Sequence, residues 1–337
     1  MTDEMVESVE IASGATVRET TRNRSVLPVF ERWAIVGLWA VIALVYSLAE
    51  SDRFATSATF KTIFGSQAAL VFLAMAVLCT VMVGEFVDLS VTSTLGLSAT
   101  LVPVLNVLHH QNIVFSCAVA LIVGIAVGAA NGFLVVYVGV NTIVVTLGMS
   151  TLLLGIALWV SQLNTVSGLS SGFSQIALKQ IWGLPVSFYY GIALVLAFTY
   201  VVSFTPLGRH MRFVEANREV GRLAGVKVNR IRFGGFVAAG ALAAAGGIAV
   251  VAGVGGYDPN SSASYLLPTY AAVFLGTAVV KPGRFNPIGT LIGVYFLETG
   301  VIGLQELGLA AWITDVFYGG VLIVAVAVST LIGRRSR

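Results

Sequence analysis

Ten long apolar runs separated by short polar stretches set the pattern of this chain. They fall at about 32–50, 66–84, 89–107, 113–137, 140–161, 184–204, 233–253, 266–280, 287–304 and 310–332. Crossing about 30 Å of hydrocarbon takes about 20 helical residues, so each run predicts a membrane span. The whole predicts an all-α, polytopic transmembrane helical bundle of about ten spans. The eighth run is short and contains Pro268, which predicts a tilted, broken or re-entrant helix. Residues 31–337 read as a single transmembrane domain. Residues 1–30 are largely polar and read as a disordered cytoplasmic tail, without the apolar core of a secretory signal.

The one long polar interruption is the loop 205–232, continuing to Phe233. It holds Arg209, Arg212, Arg218, Arg222, Lys227, Arg230 and Arg232. Inside it the sequence predicts one short helix. Asn217 is placed to cap its start, Val220, Leu223 and Ala224 share one face, and Gly225 supplies a left-handed stop. Arg218 and Arg222 share a different face. An amphipathic helix held between two spans has the form of a docking piece for another protein.

Composition supports the membrane reading. The chain has 337 residues, 57% hydrophobic and 10% charged, where soluble domains carry about 25% charged residues. Charge then orients the bundle. With ten spans, sixteen of the 19 Lys and Arg residues fall on one side, and only Arg53, Lys61 and Lys179 on the other. Cytoplasmic loops collect Lys and Arg, so both termini and the 205–232 loop are expected in the cytoplasm. The net charge of +3 reflects this topology, and no nucleic-acid partner is expected. Cys79 and Cys117 both lie in apolar runs, which predicts small, buried, unpaired side chains. Gly124, Gly128 and Gly132 recur at four-residue spacing, as do Gly289 with Gly293 and Ala239, Ala243 with Gly247. That spacing lets neighbouring helices approach closely.

Few residues are placed to carry chemistry. Glu85, Asp88 and Glu298 lie near or inside spans, and Asp315 near an end, where an ionisable group needs a partner, a cavity or the interface. Asp88, followed by Ser90 and Thr92, is placed to cap the third span. Glu298 sits mid-span in the ninth. Asn131 lies in the fourth span, and Asn141, Thr142 and Thr146 open the fifth. Such amides and hydroxyls either hydrogen-bond a passing solute or hold helices together. Asp88, Ser90, Asn131, Thr146 and Glu298 are the candidates for a translocation pathway. Gln162 and Asn164 follow the fifth span, on the side where a solute would arrive. No Gly-x-x-x-x-Gly-Lys-[Ser/Thr] loop is present, and Gly253–Gly256 reads as a turn. His109, His110 and His210 fall at span edges without metal-ligand spacing. An intramembrane enzyme is not expected.

Four segments, in order, resemble the sugar permeases of bacterial ABC importers of the ribose, xylose and galactose class. They are GEFVDLSV at Gly84–Val91, GIAVGAANG at Gly124–Gly132, NTIVVTLGMS at Asn141–Ser150 and PLGRHMRFVEANREVGRLAGVKV at Pro206–Val228. The similarity covers about residues 35–332. The chain departs from the family at Thr92, Ala216, Gly221, Leu266-Leu267-Pro268 and 275–286. The resemblance implies a permease subunit of the bacterial plasma (inner) membrane that passes a monosaccharide or related polyol. It implies a second permease subunit, as homodimer or paralogous heterodimer, and a periplasmic or lipid-anchored sugar-binding protein. It further implies a cytoplasmic ABC ATPase that binds ATP and Mg, leaving this chain without a cofactor. Arg209, Arg212, Asn217, Arg218, Val220, Arg222, Leu223, Ala224 and Gly225 would contact that ATPase. The alternative is a self-sufficient secondary transporter or channel, which predicts ion-coupling carboxylates on an inverted repeat. The two halves show no clear repeat.

Overall fold

A computed structural model describes the backbone of residues 27–335 and the side chains of residues 33–327. The expected disordered tail lies outside the described residues except for 27–30, which are helical: the first helix starts earlier than its apolar run. Arg18, Arg22, Arg24 and Arg337 also lie outside the described residues.

The chain is mostly helical. In order come α1 (Leu27–Ala49), α2 (Ser57–Gly65), α3 (Ala68–Val81), α4 (Ser90–Pro103), α5 (Ile113–Gly132), α6 (Thr142–Val160) and α7 (Ser171–Leu178). Then follow α8 (Val186–Phe204), α9 (Pro206–Ala216), α10 (Arg218–Leu223), α11 (Val228–Val254), α12 (Leu266–Gly276), α13 (Pro287–Glu306) and α14 (Trp312–Arg335). π-helical turns over Val104–Leu108 and Phe133–Val138 lengthen α4 and α5. Two minute strand pairs modify the all-α expectation. β1 (Val166–Ser167) pairs antiparallel with β4 (Gly256–Tyr257), and β2 (Gln180–Ile181) with β3 (Leu184–Pro185).

Seven helical stretches among the described residues are long and apolar enough to cross a membrane: 57–81, 90–108, 113–138, 142–160, 186–204, 228–254 and 287–306. The described apolar parts of α1 and α14, Trp33–Ala49 and Trp312–Ala327, are shorter. α12 has 11 residues, which at 1.5 Å per residue makes about 17 Å, roughly half the hydrocarbon thickness. A 3-10 turn over Pro259–Tyr265 leads into it, and Pro268 falls in its first turn, where a missing N–H costs no helical bond.

α3 is apolar on every side and runs through the centre. Every residue from Val71 to Leu78 except Phe72 is buried, which is where a helix without a polar face must go. α4, α8, α11, α12 and α13 pack around it. α6 and α8 instead keep Leu147, Leu152 and Trp159, and Leu196, Tyr200 and Phe204, exposed. Such faces suit lipid or a neighbouring subunit.

The hydrophobic effect does not draw helices together in lipid, so their contacts depend on close approach. A Cβ on Gly124 or Gly128 of α5 would collide with the backbone of Gly240 or Phe236 of α11. Gly247 of α11 meets Leu95 and Ala99 of α4, and Gly289 and Gly293 of α13 meet Gly276 and Ala272 of α12. The predicted ridges are packing surfaces. Asn112, Asn141 and Asn286 cap α5, α6 and α13 through their Oδ1 atoms.

Candidate functional site

α3 stops at Val81, and the chain turns through Gly84, whose φ of +82° favours glycine. The turn delivers Glu85 into the bundle, where it is 5% exposed. Its Oε1 accepts from Arg218 Nη2 and Arg232 Nε, each at 2.7 Å, and its Oε2 accepts from Thr142 Oγ1 at 2.6 Å. Arg218 Nη2 also donates to the Gly84 carbonyl at 2.7 Å. One carboxylate thus joins the α3–α4 turn to α6, α10 and α11. A buried carboxylate is tolerable only with this kind of pairing.

Glu85 and Arg232 were not among the predicted site residues. The structure supplies the reason: α11 begins at Val228, five residues before its predicted start, so Arg232 is carried into the bundle and is buried at 8% exposure. A buried guanidinium requires an acid, and Glu85 and Asp88 lie in the adjoining connection.

The loop carries two short helices rather than one. α9 escaped notice because its polar residues read as loop. Thr205 and Pro206 start it, with Thr205 Oγ1 accepting from Gly208 N–H at 3.4 Å, and His210 lies on it rather than at a loop edge. Asn217 then caps α10, its Oδ1 accepting from Glu219 N–H at 2.9 Å and Val220 N–H at 3.2 Å. Gly225, with φ +79°, ends the turn. Val220 is 53% and Leu223 89% exposed, and Ala224 is exposed beside them.

The arginines are not one rim. Arg218 turns inward to Glu85, while Arg222 pairs with Glu219 at 2.8 Å on the surface. Arg209 is exposed, whereas Arg212 donates through Nη2 to the Val202 carbonyl at 2.6 Å.

Three residues beyond Glu85, Asp88 is 2% exposed. Its Oδ1 accepts from Ser90 N–H at 3.0 Å and Ser90 Oγ at 2.7 Å, so it caps α4 as predicted. Asn131 Nδ2 of α5 donates to Ser90 Oγ at 2.7 Å. The Tyr270 hydroxyl of α12 accepts from Asp88 N–H at 2.7 Å and donates to the Asp88 carbonyl at 2.9 Å. Asp88, Ser90 and Asn131 are therefore brought together. Asn131 Oδ1 and Thr146 Oγ1 are buried without a hydrogen-bond partner. Buried polar atoms left open are candidates to meet a ligand or water. Glu298 stands outside this network: it accepts from Tyr318 OH at 2.8 Å and lines a cavity of about 350 Å³ with Gln67, Tyr265 and Asp315. Asn164 bonds within its own loop, through Nδ2 to the Gln162 carbonyl.

One eight-residue connection, Met82–Leu89, thus links the polar loop to the helices that carry the buried amide and hydroxyls. Arg218 of α10 touches Glu85, and Asp88 follows three residues further along the chain.

A family model described as branched-chain amino acid transport system / permease component matches residues 59–326. The autoinducer 2 import system permease protein LsrC of Salmonella typhimurium (strain LT2) is 30% identical over 289 residues, covering 85% of this chain and 82% of that protein. The autoinducer 2 import system permease protein LsrD of Yersinia pestis (strain Pestoides F) is 30% identical over 257 residues, covering 74% and 76%. The D-allose transport system permease protein AlsC of Escherichia coli (strain K12) is 24% identical over 305 residues, covering 90% and 93%. No solved structure matches. The chain belongs to this family of permease components, multi-pass inner-membrane subunits of ABC transporters whose ATPase is a separate protein.

Proposed function

We propose that the chain forms the pathway of an ATP-driven importer for a monosaccharide or related polyol. The observation that carries this reading is α10: a small helix with Leu223 and Val220 exposed, set in a basic loop and fastened by Arg218 to buried Glu85. An exposed apolar face on a clamped helix suits a groove in a partner. That partner is an ABC ATPase, which binds ATP and Mg, while this chain carries no cofactor of its own. In this reading the chain makes ten spans, with both termini and the basic loop in the cytoplasm, as the distribution of Lys and Arg favours. A second permease subunit, identical or paralogous, completes the pathway, and a periplasmic or lipid-anchored sugar-binding protein delivers the solute to the opposite end. The relatives named for autoinducer 2 and D-allose support import of such a solute. The open Asn131 Oδ1 and Thr146 Oγ1 favour a solute rich in hydroxyl groups over the branched-chain amino acids that the family description names.

The test is purification of the tagged chain from native membranes in mild detergent, followed by reconstitution. Co-purification of an ATPase and a sugar-binding protein, with uptake that requires ATP, is the expected result. Uptake by the chain alone without ATP would make it a secondary carrier or channel.

Asn131→Leu tests the pathway. It removes the bond to Ser90 and the open amide oxygen, and uptake should fall about tenfold, the factor for a lost hydrogen bond of about 1.4 kcal/mol. ATPase co-purification should be unchanged. A fall in membrane yield to match would show the amide to be structural.

A further inference from the structure

A second polar feature lies beside the Glu85 hub, and of its charged residues only Arg212 belongs to the set expected to contact an ATPase. A cavity of about 530 Å³ opens between the end of α8, the inward face of α9 and the α12–α13 turn. That volume is within the range of small-molecule sites. Arg212, Lys281 and Arg284 line it together with one acid, Glu215. Among the described residues, the side chains of Lys281 and Arg284 form no ion pair, and neither does Glu215. Burial pushes the Glu215 carboxyl up to about 7, against the opposing pull of Arg284 and Arg212. Three cations face at most one negative charge, and the cavity is electropositive.

The walls say more about the occupant. Thr199 and Val202 of α8 and Ile288 of α13 also line it, and of these Ile288 opens to the bundle surface while Val202 is buried. Ile288 is 38% exposed, and Tyr200 and Phe204, on α8 outside the cavity lining, are 62% and 76% exposed. Apolar exposure of this kind on membrane helices suits acyl chains as well as a neighbouring subunit. The Oγ1 of Thr199 is buried without a partner, which leaves a donor and acceptor for an oxygen-rich ligand. The cavity lies where α8 ends and α13 begins, which in the ten-span reading is the cytoplasmic boundary of the membrane. Basic pockets between membrane helices at that depth suit anionic headgroups, and Arg forks match phosphate oxygens two at a time.

We propose that this cavity binds the phosphate headgroup of an anionic phospholipid from the leaflet on the side of the basic loop. The headgroup sits among Arg212, Lys281 and Arg284, and the acyl chains run along α8 past Tyr200 and Phe204.

The experiment is native mass spectrometry of the full-length chain, released from bilayer discs of phosphatidylcholine titrated with phosphatidylglycerol. Wild type is expected to retain phosphatidylglycerol in preference to phosphatidylcholine. Arg284→Gln should weaken retention about fivefold, and Lys281→Gln with Arg284→Gln about 25-fold. Glu215→Gln should strengthen it, an opposite sign that a merely disrupted fold cannot produce. Equal retention of both lipids, or losses of the same size in the arginine and glutamate variants, would overturn the proposal. So would release of the lipid by millimolar inorganic phosphate, which would identify a soluble anion as the occupant.

Discussion

Glu85→Gln is expected to destabilise the chain by roughly 3–5 kcal/mol, the cost of breaking a buried ion pair from one side. Arg232, 8% exposed, would be left charged without a counter-ion, and Thr142 would lose its charged acceptor. The loss should appear as a lower midpoint of thermal aggregation in detergent. Replacing both partners, with Glu85→Gln and Arg232→Met, should recover much of it, because no uncompensated charge stays behind. Arg218→Gln should cost much less, about 1 kcal/mol or below, since the Arg218 side chain is 37% exposed and water can replace part of its pairing. A Glu85→Gln chain as stable as wild type, with no gain in the double variant, would remove Glu85 as the fastening of the loop.

Leu223→Asp should abolish ATP-driven uptake and recovery of the ATPase while leaving the chain inserted at normal yield. Leu223 is 89% exposed and sits at the end of a six-residue helix. A polar replacement there lies within about 0.5 kcal/mol of neutral for the isolated chain. In a complex the same carboxylate would be driven into an apolar groove, where an unpaired charge costs several kcal/mol. The contrast between the two variants separates the roles: one breaks the chain's own structure, the other only its engagement. Normal uptake by Leu223→Asp, or loss of the inserted chain, would sink the docking assignment for α10.

What could be read in the sequence was what local rules decide. The apolar runs at 113–137, 140–161 and 184–204 became α5 with its π-helical extension, α6 and α8, because only a helix satisfies its backbone in lipid. Asn217, Gly225 and the Asp88 cap were legible because each acts within a few residues of itself. α9 was missed because an amphipathic helix at the surface carries too many charges to stand out from a loop. The early start of α11 was missed for a related reason: Arg230 and Arg232 read as the end of the polar loop rather than as helix. The hub was beyond reach, since Thr142, Arg218 and Arg232 lie 57, 133 and 147 residues from Glu85. No spacing rule spans such distances. Arg218 and Arg222 share a surface by periodicity, yet one found an acid inside and the other an acid outside.

The crossing of α5 and α11 carries a consequence for how this protein can change. Gly128 lies against the backbone of Phe236 and Val237, and Gly240 against the backbone of Gly124 and Gly128, so both sides of the contact at these two positions are already main chain. In an ordinary core, an enlarged residue on one helix can be offset by a smaller one opposite, and such pairs drift together through descent. Here the partner has nothing left to give up. Enlargement on either helix has no compensating substitution across the contact, and revertants of such a variant should be restored glycines rather than second-site changes. The contact is therefore one that would leave no trace of correlated substitution: silent in any comparison of relatives, and rigid for that reason.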